Sequence, residues 1–150
     1  VGIAPTTPGD DVDLLVVGGP THTFSMSRLG TRSEAVARGA GNTASGPGIR
    51  EWIAALPTVS NRPVVATFDT RVDKVRRLPG SAARKAGKLL RRAGYPQVLD
   101  PESFYVADVE GPLLDGELDR ARAWGARLGD AARESLQRLG SPIDPVRRDW

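Results

Sequence analysis

Two short stretches of this chain gather residue types that can do chemistry. The first, Gly18-Gly19-Pro20-Thr21-His22-Thr23-Phe24, carries the only histidine and is followed by Ser25 and the only methionine, Met26. The second is Asp69-Thr70-Arg71. Between them they offer an imidazole, hydroxyls, a carboxylate and a guanidinium, enough for general acid–base work or for holding a polar ligand. Two familiar arrangements are disfavoured. Ser25, His22 and Asp69 could be drawn as a hydrolytic triad, but the strained GxSxG turn that exposes such a serine is absent. His22 has no second histidine or cysteine to form a metal pair. The glycine-rich "GAGNTASG", Gly39 to Gly46, is followed by Pro47 instead of the lysine of a phosphate loop, and no strand precedes it; it reads as a connection.

Both reactive stretches stand where strands end. "DLLVV", residues 13–17, reads as a strand buried on both faces, with the loop Gly18 to Arg28 after it. "RPVVATF" supplies a second strand, Val64 to Phe68, with the loop Asp69 to Lys74 after it. "ESFYVADV" is a third. Helical periodicity fills the gaps. "PGIREWIAAL" places Ile49, Trp52, Ile53 and Leu56 on one face. "PGSAARKAGKLLRRAG" is a helix capped by Ser81 and closed by Gly94, with an apolar stripe of Ala82, Ala86, Leu89, Leu90 and Ala93. A long helix runs from about Gly116 to Leu139, with Asp115 as its cap and Leu118, Ala121, Trp124, Leu128, Ala132 and Leu139 near one face. Alternation of this kind predicts an α/β fold with a parallel sheet and helices on both faces, in which ligands sit at the carboxyl ends of the strands.

Composition narrows the setting. A chain of 150 residues, 39% apolar, suits one folded domain. The expected division is a domain over 1–139 and a loose tail over 140–150. The absence of cysteine excludes disulfides and thiolate chemistry and suits a reducing cytoplasm. No run of apolar residues is long enough for a membrane span, so no membrane partner is expected. Charge is split along the chain. Nine Lys or Arg and one acid lie between Arg71 and Arg92, whereas seven acids and no base lie between Asp100 and Asp119. The basic stretch lacks interleaved aromatics, so nucleic acid is not an expected partner.

"DLLVVGGPTHTFSMSR" resembles the third strand and following loop of flavodoxin-like proteins. "VVATFDTR" resembles their fourth strand and its loop, "PGSAARKAGKLLRRAGY" the next helix, and "ESFYVADVEGPLLDGELDRARAWGARL" the fifth strand and last helix. The match covers about residues 10 to 139, in order. The resemblance implies a doubly wound, three-layer α/β/α sheet of strand order 2-1-3-4-5 with flavin mononucleotide (FMN) at its switch point. It further implies that Pro20, Thr21, His22, Thr23 and Phe24 line one face of the flavin ring, while Asp69, Thr70 and Arg71 approach the other edge. An electron-transfer domain with a redox protein partner follows.

The family's first strand, phosphate-binding loop and first helix have no counterpart here. The fold is therefore expected to be N-terminally incomplete, to bind FMN weakly or not at all, and to self-associate as a homo-oligomer through unpaired strand edges. Two rivals follow from the same residues: a flavin-free interaction module on the same scaffold, and an FMN-dependent reductase. In a protein that also carries the upstream strand, loop and helix, Phe24→Ala is expected to weaken FMN binding about fivefold through lost stacking, measured by flavin fluorescence titration.

Overall fold

A computed structural model describes residues 11–21, 48–56 and 63–140. Three parallel strands form its sheet: β1 (Leu14–Pro20), β2 (Val64–Val72) and β3 (Glu102–Val106), in the order β1-β2-β3. Three α-helices alternate with them: α1 (Ile49–Ala54), α2 (Ala82–Arg92) and α3 (Glu117–Gly140). The register sets Leu14 opposite Val64 and Pro20 opposite Thr70, and then Phe68 opposite Glu102 and Val72 opposite Val106. The predicted alternation of strand and helix and the parallel pairing are thus both present. Among the described residues, no helix is long and apolar enough to cross a membrane.

Strand alternation divides the core in two. Val17 and Val65 face one side, where they pack with Ile53 of α1 and with Ala82, Ala86 and Leu90 of α2. Ala66 and Phe104 face the other, against Trp124 and Leu128 of α3. Phe68, Phe104 and Trp124 meet edge to face, their ring centroids about 6 Å apart, a geometry that adds to simple burial. Full burial of a side chain such as Leu90 stabilises the fold by about 1.5–3 kcal/mol.

Local sequence explains the helix ends. The Ser81 hydroxyl accepts a hydrogen bond from the Arg84 N–H (3.1 Å), as expected of an N-cap, and Gly94 takes the left-handed conformation (φ 86°) just beyond α2. At α1 the Glu51 carboxylate accepts from the Gly48 N–H at 2.9 Å. For α3 the residue before the first turn is Gly116 (φ 82°), one position beyond the predicted Asp115.

Several boundaries differ from the sequence reading. β1 continues three residues past Val17, through Gly18, Gly19 and Pro20. β2 continues past Phe68 to Val72, so Asp69, Thr70 and Arg71 are strand residues and not loop residues. Apolar burial alone marks the middle of a strand; here the ladder carries on beside a polar register. On α3, Trp124, Leu128 and Ala132 are buried as predicted, but Leu118 is exposed. Ala93 also is exposed, at the C-cap of α2. Among the described residues β1 has no partner on its outer side, and Val16 stands exposed on the face that α3 covers elsewhere.

Gly18 has a steric reason to be glycine. A Cβ built there would overlap the Phe68 ring, which Phe104 and Trp124 hold in place. Gly18→Ala is expected to destabilise the protein by about 1–3 kcal/mol through overpacking, seen as a lower midpoint in chemical denaturation with the fold otherwise retained.

Candidate functional site

The carboxyl ends of β1 and β2 lie side by side, and three residues tie them to α2. Asp69 is fully buried on the α1/α2 face of β2. Its Oδ2 accepts hydrogen bonds from the Thr21 hydroxyl (2.7 Å), the Ser81 hydroxyl (2.7 Å) and the Ala83 N–H (3.0 Å). Each hydroxyl also accepts: Thr21 Oγ1 from the Ala82 N–H (3.0 Å) and Ser81 Oγ from the Arg84 N–H. The free N–H groups of the first turn of α2 are thereby satisfied, and a carboxylate stands at the positive end of the helix dipole. The Thr21 N–H donates to the Thr70 carbonyl (3.0 Å), carrying the β1–β2 ladder one step further.

Arg71, two positions along the same face, is also buried. Its Nη2 donates to the carbonyls of Val75 (3.3 Å) and Leu78 (3.0 Å) and so fixes the segment between β2 and α2. That segment opens with a 3-10 turn, Asp73–Val75. Asp69 Oδ1, Thr67 Oγ1 and Arg71 Nε are buried on this face without a hydrogen-bond partner among the described residues.

Of the residues expected at a flavin, the structure therefore brings Pro20, Thr21, Asp69, Thr70 and Arg71 to one end of the sheet, in two orientations. Asp69 and Arg71 point into the α1/α2 layer, where their side chains are committed to Thr21, Ser81, Ala83 and the following segment. Asp69 Oδ2 and Arg71 Nη2 are thus taken up by bonds within the fold. Pro20 is exposed and Thr70 half-buried, so both can meet a ligand. His22, Thr23 and Phe24 lie outside the described residues, as does Ser25 of the triad considered above.

A second cluster, which sequence reasoning did not single out, lies along β3, from Glu102 to Tyr105. Arg120 donates to both Glu117 oxygens (2.6 and 2.7 Å), to Glu102 Oε1 (2.6 Å) and to the Ser103 carbonyl (3.1 Å). Glu117 Oε2 in turn accepts from the Tyr105 N–H (2.8 Å). The hydrogen bonds to Glu117 hold the Arg120 guanidinium above its ordinary pKa, against a smaller opposing effect of burial; Glu102 adds in the same direction. Arg76, at 4.8 Å, and Arg120, at 5.8 Å, both lie near the Tyr105 ring. The i, i+3 spacing of Glu117 and Arg120 on a helix was the available signal. Among the described residues no group of three or more His, Asp or Glu gathers as a metal set. An open hollow of about 400 Å³ between Gln97–Val98 and Ala131–Arg138 is lined by none of the candidate residues.

Replacing Asp69 tests the lock. Asp69→Ala leaves buried donors from Thr21, Ser81 and Ala83 without their acceptor and is expected to cost about 3 kcal/mol or more, whereas Thr21→Val, which removes the bond to Asp69 and the bond from the Ala82 N–H, is expected to cost less, about 2 kcal/mol, both by urea denaturation.

No family model matches this chain, and neither the curated proteins nor the solved structures contain a significant match to it.

Proposed function

We propose that the chain is a flavodoxin-like domain whose sheet end receives the flavin ring of FMN and serves electron transfer. Strand order carries the reading. β1-β2-β3, all parallel, is the order of that family's third, fourth and fifth strands, and it sets Pro20 beside Thr70 at the carboxyl ends, where such sheets bind ligands. Among the described residues the outer side of β1 is open and Val16 is exposed, which suits the place of the family's first strand and first helix.

The flavin, when bound, supplies the redox chemistry. The chain's own part is to shape the ring pocket. Pro20 and Thr70 offer surface to the ring, and the segment His22-Thr23-Phe24 leaves from Thr21. Asp69 and Arg71 act from behind: Asp69 fixes Thr21, where that segment begins, and Arg71 fixes the segment after β2. They are positioning residues, not ring contacts. Redox tuning by a charge at the ring edge is therefore not assigned to either of them.

A second reading, a flavin-free interaction module, is favoured by the same two residues, since side chains expected at a cofactor are bound up within the fold. Titration of the chain with FMN and with riboflavin, followed by fluorescence quenching, separates the two. The first reading expects weak binding of similar strength for both flavins, because only the ring is held. A marked preference for FMN would place a phosphate site within these residues. Quenching of neither flavin would leave the interaction module.

A further inference from the structure

The segment between β2 and α2 is braced by hydrogen bonds, cationic, and apolar at one point. Arg71 clamps it from inside through the Val75 and Leu78 carbonyls. Turn hydrogen bonds from the Arg76 N–H to the Asp73 carbonyl (2.9 Å) and from the Leu78 N–H to the Val75 carbonyl (3.0 Å) hold it from within, and Gly80 (φ 103°) turns it into α2. On the surface so fixed, Leu78 is 46% exposed, and Lys74 and Arg77 beside it are exposed as well. α2 begins four residues after Leu78 and continues the charge: Arg84, Lys88 and Arg91, at i, i+4 and i+7, form an exposed stripe down one face. Among the described residues no acid pairs with Lys74, Arg77, Arg84, Lys88 or Arg91; the acid of this stretch, Asp73, is taken by Arg76 at 3.2 Å.

We propose that this surface, from Lys74 to Arg91, docks an acidic segment of a partner protein, with Leu78 as its apolar anchor. The occupant follows from the surface's chemistry. A row of exposed cations, without acidic partners among the described residues, around one projecting leucine complements carboxylates around an apolar residue. A preformed segment loses little freedom on docking. Single-stranded nucleic acid would want flat aromatic rings, and the described tyrosines are not free: Tyr95 is buried and Tyr105 lies beside Arg76 and Arg120. A membrane would want a broader apolar band; the outer face of α2 carries no exposed large apolar residue. The inference holds whether or not the chain binds flavin.

The probe is a fluorescently labelled helical peptide of glutamate and leucine, followed by anisotropy with the full chain at low and physiological salt. Duplex DNA and phosphatidylserine vesicles serve as rival probes. Peptide binding is expected to weaken with salt and to fall at least about tenfold in the R84E/K88E/R91E variant. Leu78→Ser is expected to weaken binding without altering its salt dependence. All four positions are exposed, circular dichroism checks the fold, and Lys88→Glu alone stands in if the triple variant unfolds. Tighter binding of DNA or of vesicles than of peptide overturns the proposal. So does a wild-type chain that ignores the peptide, or peptide binding unchanged by either variant. Flavin titration of the same variants is expected to match wild type, so a failed flavin reading and a failed docking surface are told apart.

Discussion

The buried carboxylate of Asp69 is the constraint on which this end of the molecule depends. A charge at zero exposure is expensive unless its environment solvates it. Here two hydroxyls and a backbone N–H converge on one oxygen, and the first turn of α2 adds its dipole. The arrangement joins three elements at once: β2, which carries Asp69; β1, which ends at Thr21; and α2, which begins at Ser81 and Ala82. Removing any one of them leaves polar groups without partners inside the fold. Such networks specify one geometry more strongly than they add net stability, because desolvation offsets much of the attraction. What is specified here is where the chain leaves β1 and where α2 starts.

The opposite face of β2 is set by shape instead of charge. Phe68 occupies the space that a side chain on Gly18 would need, and it can do so only because β1 is bare at that point. Phe104 and Trp124 close around the ring from β3 and α3. A single strand thus reads two codes in alternation: Val65, Thr67, Asp69 and Arg71 toward α1 and α2, and Ala66, Phe68 and Thr70 toward α3. Polar groups are tolerated on the first face because the helix start and the following turn supply donors and acceptors. On the second face the described side chains packed against β2 are apolar or aromatic, so its residues stay apolar except at the sheet's end.

That division also explains how much was legible in the sequence. Helix starts and stops were plain at α2, since Ser81 and Gly94 act through local backbone geometry. Strand centres were plain too, as runs of Leu and Val. The strand ends were not. Asp69, Thr70 and Arg71 have the look of a loop, and only pairing with Gly19–Pro20 of β1 and Ser103–Tyr105 of β3 makes them strand residues, while Thr21 and Ser81 hold the Asp69 side chain. The same partners decide what Asp69 and Arg71 do: their types suggested ligand contact, and their surroundings turn them inward. Leu118 missed its predicted burial for a related reason. Helical periodicity gives a face, but whether a neighbour reaches that face is a tertiary fact.

The uneven charge of the chain ends up more uneven in three dimensions than along the sequence. The acidic stretch is partly neutralised within the fold, because Arg120 turns back on Glu102 and Glu117, and Arg122 takes Asp119. The basic stretch has no such correction. Asp73 meets Arg76, Arg71 is withdrawn into the interior, and the remaining cations of the turn and of α2 face solvent unopposed among the described residues. Withdrawing Arg71 lowers the exposed charge by one but fixes the backbone on which its neighbours sit. A fixed row of like charges costs self-repulsion at each pair, so the fold holds its cations in a geometry that only an incoming anionic surface relieves. Salt screens such an interaction beyond roughly 10 Å, which confines it to direct docking and leaves the far side of the sheet, with its paired acids, out of reach.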